Sequence, residues 1–166
     1  MFRFAKLASI LCVLSVLCSC SFNGETDFAV FEERFNDKSE NIKIDDSNFT
    51  SERQNDNTKY CCYFDAEKGG KYLISVYERN DVKVVSACTL CVLSSIKLDL
   101  GTIEDLFCSM LYAYNQTNKK ESLEIFKKLG LDNKEKYATI GTKTEKLGKS
   151  KIDVVVNGAG TAITIS

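Results

Sequence analysis

The spacing of apolar residues changes period along the chain, and this switching constrains the fold more than any other feature. Apolar residues recur every three or four positions in 28–35 and in 102–129, which is typical of helices that bury one face. Segments 60–93 and 137–166 are instead rich in β-branched and aromatic residues broken by turn signals, which predicts strands. This order predicts an α+β fold: an antiparallel sheet of about five or six strands, with an N-terminal helix and an αα-hairpin packed on one face.

The first helix and the segment after it contrast strongly in polarity. The helix has an apolar stripe and an expected N-cap at Thr26 or Asp27. The stripe consists of Phe28, Phe31 and Phe35. Segment 36–59 is dominated by polar residues, so we interpret it as a long connector that contains one short strand at 42–44. The residues of this connector that could reach a core are Ile42, Ile44 and Phe49.

The second helical region predicts two helices joined by a short turn. We expect the first helix to begin at Thr102, with Asp105 as the acid of a capping box. The second has Asn118 as its cap and Glu121 three residues later, and Gly130 predicts a Schellman-type end. The apolar stripe of the first helix is Ile103, Leu106, Phe107, Met110, Leu111 and Tyr114, and that of the second is Leu123, Phe126 and Leu129.

Six segments are predicted to be strands. Asn80-Asp81 is a two-residue hairpin signal between two of them. Segment 82–93 is apolar on both faces, which favours a central place in the sheet. Gly158-Ala-Gly160 lacks the following helix and lysine of a phosphate loop, so we interpret it as a turn. The predicted strands are 60–64, 72–79, 82–93, 137–143, 151–157 and 161–166.

The N-terminal segment has the features of a signal peptide. Arg3 and Lys6 supply positive charge, and no acidic residue precedes Glu25. The apolar run Leu7–Leu17 has eleven residues, which fits the roughly 7–15 residues of a signal peptide core. A membrane-spanning helix needs about 20.

The end of this run resembles the lipobox of bacterial lipoproteins. Leu17 stands three residues before Cys20, with Cys18 and Ser19 as the small residues between them. The resemblance implies cleavage between Ser19 and Cys20, and a diacylglyceryl thioether on Cys20. It divides the chain into a signal peptide (1–19), a lipidated tether (20–27) and a single α+β domain (28–166). The alternative is an ordinary secreted protein that is released after cleavage.

Composition excludes several kinds of chemistry. The chain has no histidine, which removes the usual general base near neutral pH and both Ser-His-Asp and Cys-His catalysis. Without Arg3 and Lys6, the remaining 20 basic residues face 23 acidic ones, and no basic patch suggests nucleic acid binding. The basic pairs Lys119-Lys120 and Lys127-Lys128 are better explained as solvated helix faces. We predict no metal and no cofactor.

Five cysteines follow Cys20, and an odd number cannot pair completely within one chain. The Cys88-Thr-Leu-Cys91 motif could be a redox pair or half of a zinc site. Residues three apart in a strand point to opposite faces, however, so we interpret both as small buried hydrophobic side chains. Adjacent Cys61 and Cys62 diverge for the same reason. In a simple meander, a Cys61–Cys88 or Cys62–Cys91 disulfide would have to span about 9.5 Å, which is too far, although a different strand order would reopen the question.

These observations predict a lipid-anchored protein on the extracytoplasmic side of a bacterial cell membrane, or of the outer membrane in a diderm. We expect its domain to be a non-catalytic binding module, with the membrane as one partner through Cys20 and an envelope protein or small ligand as another. Two alternatives remain: an envelope hydrolase with carboxylate-based chemistry, and an inhibitor or exclusion factor that blocks another protein.

Overall fold

The computed structural model describes residues 26–40, 42–45, 47–65, 71–93, 99–158 and 160–166. The α+β fold predicted from the sequence is confirmed, because these residues form helices packed against one antiparallel sheet. In chain order the elements are α1 (Phe28–Lys38), β1 (Phe49–Arg53), β2 (Asn57–Asp65), β3 (Lys71–Arg79), β4 (Val84–Leu93), α2 (Leu100–Asn115), α3 (Lys119–Leu129), α4 (Lys134–Tyr137), β5 (Thr142–Leu147), β6 (Ser150–Asn157) and β7 (Gly160–Ile165).

The sheet has seven strands in the order β1-β2-β3-β4-β7-β6-β5. The first four strands form a meander. After β4 the chain passes through the helices, returns at the outer strand β5, and comes back inward so that β7 pairs with β4 from Cys88↔Ile165 to Leu93↔Gly160. Strand β4, which the sequence predicts to be central because segment 82–93 is apolar on both faces, therefore occupies the middle of the sheet.

The main core lies between one face of the sheet and the helices. Burial of large apolar side chains in this layer is the main source of stability, at roughly 1.5–3 kcal/mol for each fully buried side chain. The Tyr114 hydroxyl also donates a hydrogen bond of 3.0 Å to the Ser86 carbonyl, which ties α2 to β4. The largest fully buried side chains include Phe31, Phe35, Ile44, Ile74, Leu90, Ile103, Leu106, Phe107, Met110, Leu111 and Phe126.

The other face of the sheet has a line of small polar residues. The register places one such residue of every strand in a single line, here called the polar row. The hydroxyl oxygens of Thr89 and Thr164 are 3.1 Å apart, and the Thr144 hydroxyl donates to Asp153 at 2.5 Å. Beside the row lies a small apolar cluster of Leu73, Cys91 and Ala162, which contains no residue of the described helices. The polar row consists of Thr50, Cys61, Ser75, Thr89, Thr164, Asp153 and Thr144.

Helix α1 begins where the sequence predicts. Asp27 is the N-cap, and its carboxylate accepts a hydrogen bond of 2.9 Å from the backbone N–H of Val30. A second carboxylate comes from the sheet, because the buried Glu78 of β3 accepts the N–H of Phe28 at 2.8 Å. The start of α1 is therefore fixed both by its own cap and by a strand.

The helical hairpin α2–α3 is also confirmed, with changes at its start. The cap of α2 is Asp99, and the helix begins at Leu100 rather than Thr102. Asn118 caps α3 by accepting the N–H of Glu121. At the end of α3, the N–H groups of Gly130 and Leu131 donate to Lys127 and Phe126, which is the predicted Schellman motif.

Segment 36–59 differs from the predicted connector. Ile42 and Ile44 are buried in the core but form no strand, and β1 follows at Phe49–Arg53. Because β1 is polar and exposed along most of its length, its sequence carries no apolar alternation. The strand predicted to begin at Tyr60 begins at Asn57 and is the second in the chain.

The structure also corrects the predicted limits of two other segments. The β3–β4 connection uses four residues rather than two, because Arg79 pairs with Val84 and Lys83 takes a φ of 52°. The predicted strand 137–143 begins as the short helix α4, for which the Asn133 side chain accepts two backbone N–H bonds. Strand β5 follows only at Thr142.

Candidate functional site

The predicted lipid attachment residue Cys20 and the predicted cleavage site between Ser19 and Cys20 lie outside the described residues, as does the whole predicted signal peptide. The signal peptide, the cleavage site and the lipid attachment therefore stay predictions. Among the described residues, no helix is both long enough and apolar enough to cross a membrane.

The two cysteines of the Cys88–Cys91 motif face away from each other. Cys88 is fully buried in the main core, and Cys91 belongs to the small cluster on the other face. The same alternation separates Cys62, in the main core, from Cys61, beside the small cluster. None of the five described cysteines forms a disulfide with another described cysteine. The motif therefore brings no two sulfur atoms together for redox chemistry or for a shared metal.

Burial also makes three of the thiols poor nucleophiles. It raises the pKa of Cys62 to about 12 and, with the Glu104 carboxylate nearby, that of Cys108 to about 12. Burial raises the pKa of Cys88 as well. Since the thiolate is the reactive form, these side chains act as small hydrophobic residues in the folded protein.

One depression on the helical side, here called the acidic depression, has a volume of about 260 Å³. It lies where the end of α1 meets the first turns of α2 and α3. Four carboxylates line it, from Glu40, Asp99, Glu104 and Asp105, together with the Cys108 thiol and the Lys119 ammonium group. The sequence separates Glu40 from the other three acids by about sixty residues, so only the fold reveals this grouping.

Two of these carboxylates have structural roles. Asp99 accepts hydrogen bonds from the N–H of Gly101 at 3.2 Å and from the Thr102 hydroxyl at 3.0 Å. Asp105 does not close the predicted capping box. It accepts bonds from the Ser39 hydroxyl at 3.2 Å and from the Glu40 N–H at 3.1 Å. Asp105 therefore joins the end of α1 to α2.

The other two acids are less constrained. Glu40 lies 3.4 Å from the ammonium group of Lys119, and the hydrogen bond between them raises the pKa of Lys119. Glu104 lines the depression and makes no hydrogen bond or ion pair with another described residue. Within the described ranges, no group of three or more acids, cysteines or histidines is arranged to hold a metal ion.

A second depression, here called the lysine depression, has a volume of about 380 Å³. Its ammonium groups come from Lys127 of α3, Lys136 of α4 and Lys143 of β5, and Asp132 is its acidic residue. The remaining lining residues are Gly130, Asn133, Thr139 and Ile140. The three lysines are spread over seventeen positions in three elements, so helical spacing alone does not group them. The predicted solvated face at Lys127-Lys128 is thus only part of the arrangement.

The end of α3 gives this depression its shape. Gly130 has a φ of 80°, a left-handed conformation that favours glycine. A Cβ at this position would stand 3.1 Å from the Lys143 Nζ atom. The missing side chain thus lets the β5 ammonium group lie against the helix end.

Comparison of the chain with known protein families, curated proteins and solved structures finds no match.

Proposed function

We propose that this chain is a lipid-anchored extracytoplasmic protein of a bacterial envelope, and that its α+β domain acts by binding rather than by catalysis. The observation that carries the proposal is the sequence Leu17-Cys18-Ser19-Cys20 directly after an apolar run of eleven residues. Two or three acyl chains on Cys20 would anchor the protein stably, because each buried methylene contributes about 0.8 kcal/mol.

The tether would keep the domain close to the membrane. Residues 21–27 reach at most roughly 23–25 Å when fully extended. Asp27 caps α1, and the carbonyl of Thr26 accepts a 2.8 Å bond from the Val85 N–H at the start of β4. The domain end of the tether therefore lies beside the start of β4.

Two features of the described residues support binding over catalysis. Asp99 and Asp105 already use their carboxylates to hold backbone groups, so they are poor candidates for proton transfer. The raised pKa of Cys62 and of Cys108 keeps those thiols protonated near neutral pH.

The anchor is tested by labelling cells with radioactive palmitate. The native chain should be labelled, and Cys20→Ala should lose the label and accumulate as the unprocessed precursor. Cys18→Ala is the matched control, since it removes the neighbouring thiol and leaves the acceptor in place. Labelling of Cys20→Ala, or loss of labelling in Cys18→Ala alone, would contradict the assignment of Cys20.

A second candidate function, a carboxylate-based envelope hydrolase, is favoured by the acidic depression. Glu104 would be the general acid or base, because its carboxylate lines the depression without another described partner. The test is release of new reducing ends or amino groups from purified cell wall. Glu104→Gln should abolish the release, and Glu124→Gln, an exposed position on α3 outside the depression, should not. Absence of any release by the native protein favours the binding role.

A further inference from the structure

We propose that the lysine depression is a binding site for a phosphate-type oxyanion. The inference rests on the proposed binding role, because it names the ligand class of that role, but it does not depend on the lipid anchor. Lysine ammonium groups are common phosphate ligands, and a depression of about 380 Å³ has room for a phosphate group.

The charges that line the depression favour an anion. Lys127, Lys136 and Lys143 face one acidic residue, Asp132, so the lining has a net charge of about +2. None of the three ammonium groups forms an ion pair or hydrogen bond with a described residue. Several lysines elsewhere, such as Lys119 and Lys151, lie within 4 Å of a carboxylate.

The neutral groups around the lysines include a further donor. Asn133 caps α4 with its side-chain oxygen, which accepts the N–H groups of Glu135 and Lys136 at 3.0 and 3.2 Å. Its amide nitrogen makes no such bond with a described residue. An oxyanion in the depression could therefore receive three charged donors and one neutral donor.

Compensation of the α3 dipole explains part of the arrangement but not all of it. Cations are favourable near a helix C-terminus, so Lys127 and Lys128 are expected there without any ligand. Lys136 and Lys143 belong to other elements, and the side-chain-free Gly130 admits the Lys143 ammonium group to the same place. This convergence of separate elements distinguishes the lysine depression from a solvated helix end.

The test is a titration of the full chain, labelled with nitrogen-15 and purified in a non-ionic detergent. Inorganic phosphate and glycerophosphoglycerol are the two probes, and the amide signals of Gly130, Asn133 and Ile140 are the readout. The expected result is a saturable shift of these signals that weakens as sodium chloride is raised.

Two triple variants make the test specific. The first, Lys127→Gln with Lys136→Gln and Lys143→Gln, removes the ammonium groups of the depression and should weaken binding by about tenfold or more. The second, Lys128→Gln with Lys134→Gln and Lys146→Gln, removes one exposed lysine from each of the same elements outside the depression and should leave binding unchanged. Because all six positions are exposed, both variants should fold, and thermal melting checks this.

The outcomes distinguish a free phosphate from a lipid headgroup as the ligand. They also distinguish failure of the phosphate site from failure of the proposed lipid anchor. Saturation by inorganic phosphate alone identifies a free phosphate or a monoester, and saturation by glycerophosphoglycerol identifies a lipid headgroup or another diester. No saturable shift with either probe, or equal weakening in both triple variants, overturns the site. Palmitate labelling of Cys20 is independent of the lysines, so failure of one proposal leaves the other standing.

Discussion

The two faces of the sheet are built from the same strands but differ in size and chemistry. On the helical face, neighbouring strands present Ile74, Leu90 and Ile163, all fully buried in one large core. On the opposite face, the corresponding strands contribute Ser75, Thr89 and Thr164 to the polar row. The comparison teaches that burial alone does not make the two faces alike. Most residues of β3, β4 and β7 are buried, but one face packs against the described helices and the other carries the polar row.

The largest contrast expected from this comparison is in thiol reactivity. Cys61 is partly exposed, whereas its neighbour Cys62 is buried and its pKa is raised to about 12. Iodoacetamide at pH 8 should therefore alkylate Cys61 faster by orders of magnitude, and Cys62 only when the core opens. Mass spectrometry of peptides from Cys61→Ala and Cys62→Ala proteins measures the two rates. Similar rates would mean that the helical face is open to solvent.

The next largest effect is the loss of a core side chain on the helical face. Leu90→Ala should reduce the free energy of unfolding by about 2–5 kcal/mol, since it leaves a cavity among well-packed neighbours. Urea denaturation followed by circular dichroism measures it. Val82→Ala is the control, because Val82 is 44% exposed at the β3–β4 turn. A smaller loss of unfolding free energy for Leu90→Ala than for Val82→Ala would mean that Leu90 is not part of the core.

A smaller effect is expected for the carboxylate that joins the sheet to α1. Glu78→Ala leaves the N–H of Phe28 without its buried acceptor, which should cost about 1–3 kcal/mol. Glu78→Gln keeps an acceptor oxygen and should recover part of the loss. Faster hydrogen exchange in the first turn of α1, measured by mass spectrometry, would locate the change. Equal destabilisation by both substitutions would indicate that the charge matters more than the hydrogen bond.

Substitutions of two neighbouring threonines in the polar row should have non-additive effects on the free energy of unfolding. Thr89→Val removes one hydroxyl and leaves the buried Thr164 hydroxyl without that partner, at a cost of roughly 1 kcal/mol. The double variant with Thr164→Val should be close to neutral, because neither hydroxyl remains to be satisfied. A double-mutant cycle by urea denaturation measures the coupling. Simple addition of the two costs would show that the two hydroxyls are not energetically coupled.

The smallest effect is the dependence of stability on alkaline pH. The pKa of Cys62 rises from 9.0 to about 12 on folding, so its contribution is fully present below pH 9 and is lost between pH 9 and about 12. At pH 9 the loss from this thiol should be about 0.4 kcal/mol. Melting temperatures of the native and Cys62→Ala proteins from pH 7 to pH 10 test the sign. A steeper decline in Cys62→Ala than in the native protein would contradict it.

Local signals were enough to predict much of the fold. The Asn118 cap and the Gly130 stop each act through hydrogen bonds to residues a few positions away, so they locate the two ends of α3 without knowledge of the tertiary structure. Strand β1 was not predicted, because it lies at the edge of the sheet and buries little after Phe49. Helix α4 was not predicted either, because Tyr137 and Ile140 are residue types typical of strands. The cap formed by Asn133 outweighs that preference and favours a short helix.

Neither charged depression could be predicted from the sequence. Glu40 and Asp105 meet because α1 packs on α2, and Lys143 reaches Gly130 because β5 returns beside the end of α3. Such contacts depend on how elements pack, and the sequence gives only their types and lengths. The separation of Cys88 from Cys91 was predictable, because it needs only the alternation of a strand.

The edge strands β1 and β5 also affect the tendency of the protein to self-associate. A sheet edge offers unpaired backbone groups to which another strand can add, which is a common route to aggregation. Strand β1 carries Glu52 and Arg53, and strand β5 carries Lys143, Glu145 and Lys146. Charged side chains on both borders make it costly for a neighbouring molecule to extend the sheet, which disfavours edge-to-edge aggregation.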